Sequence, residues 1–470
     1  KHYFDKFDIL CLRGQDVLSG SQERIRVREA DFRVESIDLN DDEPYRAMRS
    51  GELIGIPQSA SPAMRQAHIR LKTANLHDAS LVQAGIRPGV GGAVKINELI
   101  ARRRGNPYSF EHPKLEEILG LTYGIIVFQE QVDQLLQTFA AYSSGEAEEI
   151  REKIHEQRRE DFGATIKDEL LARIVKNGFS EVVAQQVYEY VSGFKGYGFA
   201  QGHALAFAEI SIRSIYCQQH YPSQYFASLL DAQPAGYYGP CTIANEARCR
   251  GVTVLPVDVN ISTMKFEVES IRAADDPKIT IPDAAIRVSF KQISGVSETT
   301  KQRLQDNKPY RSFFECVAKV QPSRDELELL ILVGAFDALQ ENRRSLLWAI
   351  PSAYQYASLC SKIADKLPLD FAEPPLDTSM SDFSQAEKAV LERAILDMDV
   401  ATHLMAFERE RITLKGGITT SKAKSLTDKA KAIVVGNPIR LHFPPTQSGK
   451  RVVFFDLEDE TGLLNVTCFD

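Results

Sequence analysis

The chain has 470 residues, with 43% hydrophobic and 26% charged side chains, Gly 28 and Pro 21. Such a composition excludes a fibrous or disordered polymer and leaves room for about three domains at the usual ~150 residues each. Lys+Arg 56 against Asp+Glu 64 gives a formal charge of −8, so a polyanion-binding surface has to be local rather than global.

Seven cysteines (Cys11, Cys217, Cys241, Cys249, Cys316, Cys360, Cys468) are scattered without a C-x-x-C pair. That spacing argues against a disulfide framework or zinc site and for a reducing, cytoplasmic setting. No run of 18 apolar residues suggests a membrane span. Without an initiator Met, and with strand-like residues at its end, the chain reads as an excerpt of a longer polypeptide.

From Ile54 to Gln233 the pattern is of helix length, punctuated by Gly and Pro. Leu115, Ile118 and Leu119 recur at helical spacing, Glu181 to Tyr190 is a helix, and Ala204 to Leu230 is a long apolar-rich run broken at Tyr221-Pro222. Two islands are β-like: Gly124-Ile-Ile-Val-Phe128, a short strand or a helix start, and Gly251-Val-Thr-Val-Leu255.

Residues 286–336 read as short helices joined by tight turns, with a hairpin at Ile293-Ser-Gly295-Val296-Ser-Glu298 and a helix from Glu326 to Val333. Residues 361–400 hold nine Asp or Glu and a Pro- and Ser-containing linker, then a helix from about Ser384 to Asp397. Residues 401–451 reverse the sign, with ten Lys or Arg against three acids. Ala432 to Val435, Arg451 to Phe455 and Leu464 to Phe469 alternate as strands.

Asp8 interrupts an apolar stretch, Phe7, Ile9 and Leu10. A carboxylate there is a structural ion pair, a solvent-facing edge, or a cation ligand. Residues 85–110 carry Arg87, Lys95, Arg102, Arg103 and Arg104 against Glu98, a net of +4 beside the Gly-rich Gly85 to Gly92. They read as a phosphate-contacting stretch or, for three adjacent arginines on a helix, as a solvated face. Residues 286–311 also carry +4, from Arg287, Lys291, Lys301, Arg303, Lys308 and Arg311 against Glu298 and Asp306. A hairpin whose amides open a helix suits a DNA phosphate there; the alternative is a plain helix-turn-helix corner.

Residues 3–14, Tyr-Phe-Asp-Lys-Phe-Asp-Ile-Leu-Cys-Leu-Arg-Gly, resemble the palm strand that carries the third catalytic carboxylate in bacterial C-family DNA polymerases, the DNA polymerase III alpha subunits. Ser61-Pro-Ala-Met-Arg65, Thr122-Tyr-Gly-Ile-Ile-Val-Phe-Gln-Glu-Gln-Val132, Gly196-Tyr-Gly-Phe-Ala-Gln-Gly-His203, Leu255-Pro-Val-Asp-Val-Asn260, Val333-Gly-Ala-Phe-Asp337 and Asp456-Leu-Glu-Asp-Glu-Thr-Gly462 follow in the family's order. Asp231 to Gly239 and Arg343-Arg-Ser-Leu-Leu-Trp348 are similar to the accessory, mutagenic-repair branch. Phe4 to Leu10 and Ser61 to Arg65 are similar to replicative members.

The resemblance implies a mainly α fold with smaller α+β and β parts. Its expected boundaries are 1–14 end of palm, 15–265 fingers, 266–350 helix-hairpin-helix unit, 351–428 linker and clamp-associated region, and 429–470 a truncated OB-fold barrel. It implies template-directed nucleotidyl transfer with two Mg²⁺, of whose ligands only Asp8 is present, so the piece alone is expected to be inactive.

Arg87, Arg151, Lys153, Gln201 and His203 take nucleotide-binding positions, with two departures: Glu152 stands where the family has a second Arg, and Gln201 where replicative members have Lys. Two lost cations at a triphosphate, at ~1.5–3 kcal/mol per charge-assisted contact, weaken nucleotide binding or turnover. His203 reads equally as a helix cap or a core histidine. Arg102, Arg103, Arg104, Lys291, Gly295, Val296, Ser297, Lys301, Arg303, Lys450 and Arg451 are the expected DNA contacts, Ser297 replacing the family's second hairpin Gly. Of Phe454 and Phe455, one is expected to face solvent.

The implied partners are primer-template DNA, single-stranded template, deoxynucleoside triphosphates, a sliding clamp and other replisome subunits. For the clamp, Ser381-Asp-Phe-Ser-Gln385 is a poor docking peptide. The alternative is a catalytically decayed homologue that acts as a DNA-binding or replisome scaffold, motivated by Glu152 and Gln201.

Overall fold

A computed structural model describes residues 12–86, 92–156, 160–194, 199–272, 280–340, 342–363, 372–377, 379–444 and 451–469. Asp8, Arg87 and Lys450 lie outside the described residues. The chain divides into two compact units: a helical one, Glu35–Tyr216, and a mixed one built from residues up to Val34 together with Cys217 onward. This division falls inside the span 15–265 expected for the fingers.

Helix α1 (Arg13–Ile25) belongs to the mixed unit. The helical unit follows with α2 (Asp42–Ser50), α3 (Pro62–Leu71), α4 (Leu76–Gly85), α5 (Gly92–Arg103), α6 (Pro113–Leu119), α7 (Gln129–Ala140), α8 (Ser144–Glu156), α9 (Glu160–Lys176), α10 (Glu181–Ser192) and the greater part of α11 (Gln201–His220). Its helices start where the sequence supplies an acceptor for orphan amides: Asp41, Ser61, Asn75 and Ser180 each cap an N-terminus.

Gln131 organises the approach to α7. Its buried carbonyl accepts the amides of Val127 and Phe128 at 2.9 and 3.0 Å, and its Nε2 donates to Thr122 Oγ1 at 2.9 Å. The island before α7 is neither a strand of a sheet nor a turn of helix: it runs into the extended N-cap Phe128, which makes an isolated parallel bridge with Phe199. Leu115, Leu135, Leu136, Phe139 and Val187 form one core cluster. Leu71, Leu81, Val82, Leu99, Phe128 and Ala204 form another; burying each large side chain is worth about 1.5–3 kcal/mol.

The mixed unit continues through α12 (Pro222–Asp231), α13 (Pro240–Cys249), β1 (Thr253–Leu255), β2 (Glu267–Arg272), β3 (Thr280–Arg287), α14 (Glu298–Asp306), α15 (Phe313–Val320), α16 (Arg324–Leu332), α17 (Arg343–Ile363) and α18 (Gln385–Leu396). It ends with α19 (Met405–Leu414), β4 (Gly417–Ile418), α20 (Thr420–Lys424), β5 (Ile433–Val434), β6 (Asn437–His442), β7 (Val452–Asp459) and β8 (Gly462–Phe469). Pro222 ends the long apolar run where the sequence breaks it, because a proline at the first helical position has no amide to continue α11.

Strand β3 is central in a three-stranded sheet, parallel to β1 and antiparallel to β2. Strands β6, β7 and β8 form an antiparallel meander. Among the described residues this sheet is open, and no closed barrel forms, so the fold is mainly α with small sheets. The core around the hairpin is aromatic: Phe290, Phe313, Phe314 and Phe336 are all buried. No described helix is long and apolar enough to cross a membrane.

Candidate functional site

Of Arg102 and Arg103 at the end of α5 and Arg104 just beyond it, the first two are engaged inside the helical unit. Tyr123 and Gly124 both adopt positive φ, 54° and 71°, and so turn consecutive carbonyls toward one point. Arg102 donates from Nη1 to both carbonyls at 2.9 Å, pairs with Glu98 at 2.5 Å and lies over the Tyr108 ring. Arg103 binds Asp78 through two nitrogens at 2.5 and 2.9 Å, and that buried carboxylate also accepts the Ala74 amide. Arg104 is exposed, with a bond to the Arg70 carbonyl at 2.9 Å. Placement therefore favours the structural reading for Arg102 and Arg103.

The expected nucleotide-side residues also have internal partners. Arg151 on α8 donates from Nε to Asp133 Oδ1 of α7 at 2.9 Å, with Glu148 at 3.5 Å. Burial pushes the Asp133 carboxyl up against the opposing pull of Arg151. Lys153 faces outward toward Glu149 at 3.8 Å, and Glu152 is exposed.

At the start of α11, the Gln201 amide donates to both oxygens of Glu130 at 3.0 Å. The bridge between Phe128 and Phe199 fixes this approach, and Gln129 donates to the Phe199 carbonyl at 3.2 Å. His203 is exposed, not a core histidine. Its ring lies edge-on between Phe199 at 5.0 Å and Phe207 at 4.5 Å, an aromatic stack of phenylalanine, histidine and phenylalanine along the first turns of the helix.

The hairpin of the mixed unit is held from two sides. Gly295 sits at φ +81°, where a Cβ would meet Leu329 of α16 at 2.7 Å, which explains glycine at that position. Ser294 donates to the Ile395 carbonyl of α18 at 3.1 Å. Val296 is buried; Ser297 caps α14, its Oγ accepting the Thr300 amide at 3.3 Å. The Ser297 amide itself donates to Glu326 Oε1 at 2.9 Å, and Glu326 Oε2 accepts from Thr300 Oγ1 at 3.0 Å and from the Ser323 amide at 2.8 Å. Burial pushes the Glu326 carboxyl up, but these hydrogen bonds together outweigh it and hold it at about 2.

Of the cations expected here, Lys301 is buried, donating to the Lys291 carbonyl and to Glu298 at 3.3 and 3.1 Å. Arg287 forks onto Glu269 at 2.7 and 2.8 Å. Lys291 and Arg303 are exposed.

On the C-terminal sheet Arg451 is exposed and Phe454 is 42% exposed, with Phe455 half-buried, as expected for one outward ring. Sequence reasoning missed the carboxylates that accept these bonds: Asp78, Glu130, Asp133 and Glu326, together with Asp456, Glu458 and Asp459, three buried acids on β7. Only Glu326 had a local signal, the Ser323-x-x-Glu326 spacing of a capping box.

Residues 15–178 match the model of the bacterial DNA polymerase III alpha subunit finger domain, and residues 251–346 match a helix-hairpin-helix motif. Among curated proteins the chain is 35% identical to an error-prone DNA polymerase of Symbiobacterium thermophilum, covering 99% of this chain and 46% of that protein. It is 29% identical to an error-prone DNA polymerase of Corynebacterium glutamicum, over 92% of this chain and 39% of that protein. A third, from Sinorhizobium medicae, is 28% identical over 91% of this chain and 40% of that protein. The chain thus spans less than half the length of these curated relatives.

Proposed function

Because this chain is a region of a bacterial C-family DNA polymerase alpha subunit, we propose that it supplies the fingers and the DNA-contacting parts of an enzyme for template-directed nucleotidyl transfer. Its ligands are primer-template DNA and deoxynucleoside triphosphates. The observation that carries the reading is the hairpin at Gly295, a tight corner opening α14, flanked by the exposed cations Lys291 and Arg303. Such a corner holds a duplex by its backbone without reading sequence.

Within this reading residues 15–265 act as fingers, 266–350 as the duplex-binding unit and 429–470 as part of an OB-fold for the single-stranded template. The linker between them serves a sliding clamp or another replisome subunit. His203, exposed at the start of α11, offers an aromatic edge and a ring nitrogen to an incoming nucleotide. Arg87 and Lys153 are the cations this reading assigns to its phosphates, Arg151 joining them only by leaving Asp133 and Glu148, and Gln201 stands at the same helix start.

Mg²⁺ supplies charge neutralisation and activates the 3′-hydroxyl when bound. Asp8 is one carboxylate, too few oxygens to hold a divalent pair by itself, and it lies outside the described residues. Primer extension by the full-length protein in Mg²⁺ is expected to be abolished by Asp8→Asn. Extension at the wild-type rate by that variant overturns the assignment of Asp8.

A second reading, a DNA-binding scaffold with a decayed catalytic site, is favoured by one contact. Arg151 is neutralised by Asp133 and Glu148, while Glu152 and Gln201 replace two further cations. No extension by the full-length protein together with retained DNA binding supports the scaffold; template-dependent extension removes it.

A further inference from the structure

We propose that Glu326 is a built-in competitor of DNA at the hairpin: its carboxylate occupies the Ser297 amide that a backbone phosphate would otherwise take. This rests on the reading of the hairpin as a DNA-contacting corner.

The Ser297 N–H has one proton to give, and Glu326 Oε1 already accepts it at 2.9 Å. A phosphate oxygen is an acceptor too, so it cannot share the bond. It must displace the carboxylate or stay away, because two anions at hydrogen-bond range repel. Three further features make Glu326 a fixed occupant rather than a passing one. Its other oxygen is held by the Thr300 hydroxyl and by the Ser323 amide at the start of α16, so one carboxylate ties the first turns of two helices together. Ser297 contributes a hydroxyl to the same knot, donating to Thr300 Oγ1 at 3.1 Å; a glycine there would lack it. Lys301, buried on α14, is directed at the Lys291 carbonyl and Glu298, and the donors that hold Glu326, the Ser297 and Ser323 amides and the Thr300 hydroxyl, are all neutral.

The carboxylate stays ionised throughout the physiological range, since its hydrogen bonds hold it near 2. Acid therefore does not release the amide. Only a competing anion or a rearrangement of α16 against α14 would do so, and the hairpin contributes less to DNA affinity than an unoccupied one. At the other end of the turn the Ser294 amide is bonded to Ile395 of α18, so both ends of the hairpin are engaged.

The test is fluorescence anisotropy of the 470-residue chain with a labelled primer-template duplex at low salt. Glu326→Gln is expected to bind roughly three- to tenfold tighter. Glu328→Gln, which removes the same charge two residues along α16 at an exposed pair with Arg324, is expected to change affinity by less than about twofold. Glu326→Asp keeps the charge and a capping carboxylate but shortens the reach, and it is also expected to bind tighter; it carries the test if thermal unfolding shows that the Gln variant does not fold.

Unchanged or weaker binding by whichever Glu326 variants fold overturns the proposal, as does an equal gain from Glu328→Gln. A Lys291→Ala, Arg303→Ala double variant separates the two levels. If it weakens binding while the folded Glu326 variants do not tighten it, the competitor role fails and the hairpin reading stands. If it leaves affinity unchanged, the hairpin reading fails and the proposal with it.

Discussion

Arg103 and Arg104 are neighbours with opposite surroundings. Arg103 forks onto Asp78, whose carboxylate is buried and has one further donor, the Ala74 amide. Arg104 is exposed, with one carbonyl partner. Removing Arg103 strands a buried anion, whereas removing Arg104 returns a carbonyl to water. Arg103→Ala is therefore expected to lower stability by about 2 kcal/mol, discounted for its partial exposure, and Arg104→Ala by less than about 0.5 kcal/mol. Urea unfolding of the two variants against the parent chain checks this; equal, small losses would show that Arg103 is the solvated cation its sequence context also allowed. The same logic applies to Arg102, whose guanidinium closes a turn made by two residues at positive φ. An Arg-Arg-Arg run announces charge, but apart from Glu98 the oxygens that consume it lie 20 or more positions away in sequence, at Asp78, Tyr123 and Gly124.

Strand β7 shows the equivalent effect for acids. Asp456 accepts from Tyr238, Glu458 from Thr242 and Asn245 of α13, and Asp459 from Thr420 of α20 and Arg409 of α19. The sheet is thus docked by its carboxylates rather than by an apolar face. Burial pushes the Glu458 carboxyl up to about 7, against the pull of Thr242 and Asn245. A raised carboxyl stabilises the fold fully below its ordinary value near 4.5, and that contribution is lost as pH rises through 7. His403, beside Asp399, moves oppositely: burial lowers it to about 4, so its contribution is lost as pH falls from 6.5 toward 4. Comparing Glu458→Gln with the parent at each pH cancels the histidine. The variant is expected to gain relative stability between pH 4.5 and 7, by up to about 3 kcal/mol, then to plateau. Thermal unfolding across that range checks it, and a pH-independent difference would refute it. Helices were the legible elements: α10, α14 to α16 and α18 follow from apolar periodicity and capping residues, and the break at Pro222 from proline chemistry. Strands β2 and β6 were not, because Glu267 to Arg272 and Asn437 to His442 are half-polar and gain their place only by pairing with β3 and β7.

For the molecule as a whole, the formal −8 hides positive windows, and the structure ranks them. In 85–110, Arg102 and Arg103 are engaged internally. In 286–311, Arg287 and Lys301 are likewise spent and Lys308 donates to the Ile261 and Ser262 carbonyls, leaving Lys291, Arg303 and Arg311 outward. In 401–451, Lys415, Lys422, Lys424, Lys429 and Lys431 are all exposed on and around α20, within a stretch holding few acids. Polyanion affinity in a chain of negative net charge should then be concentrated near α20, next to the sheet that carries the exposed Phe454, Phe443 and Phe469. Each lysine seated on a single-strand phosphate releases counterion and contributes about −0.7 to the slope of log affinity against log salt. Single-strand binding by the full chain is expected to show a slope of up to about −3.5 if all five lysines engage. Replacing Lys422, Lys424, Lys429 and Lys431 together by Gln should flatten it by about 2.8, four times the single-lysine value. A flat response in the parent chain would remove single-strand binding from this surface. An unchanged slope in the variant would move that binding to cations elsewhere, with Lys291 and Arg303 the next exposed pair to substitute.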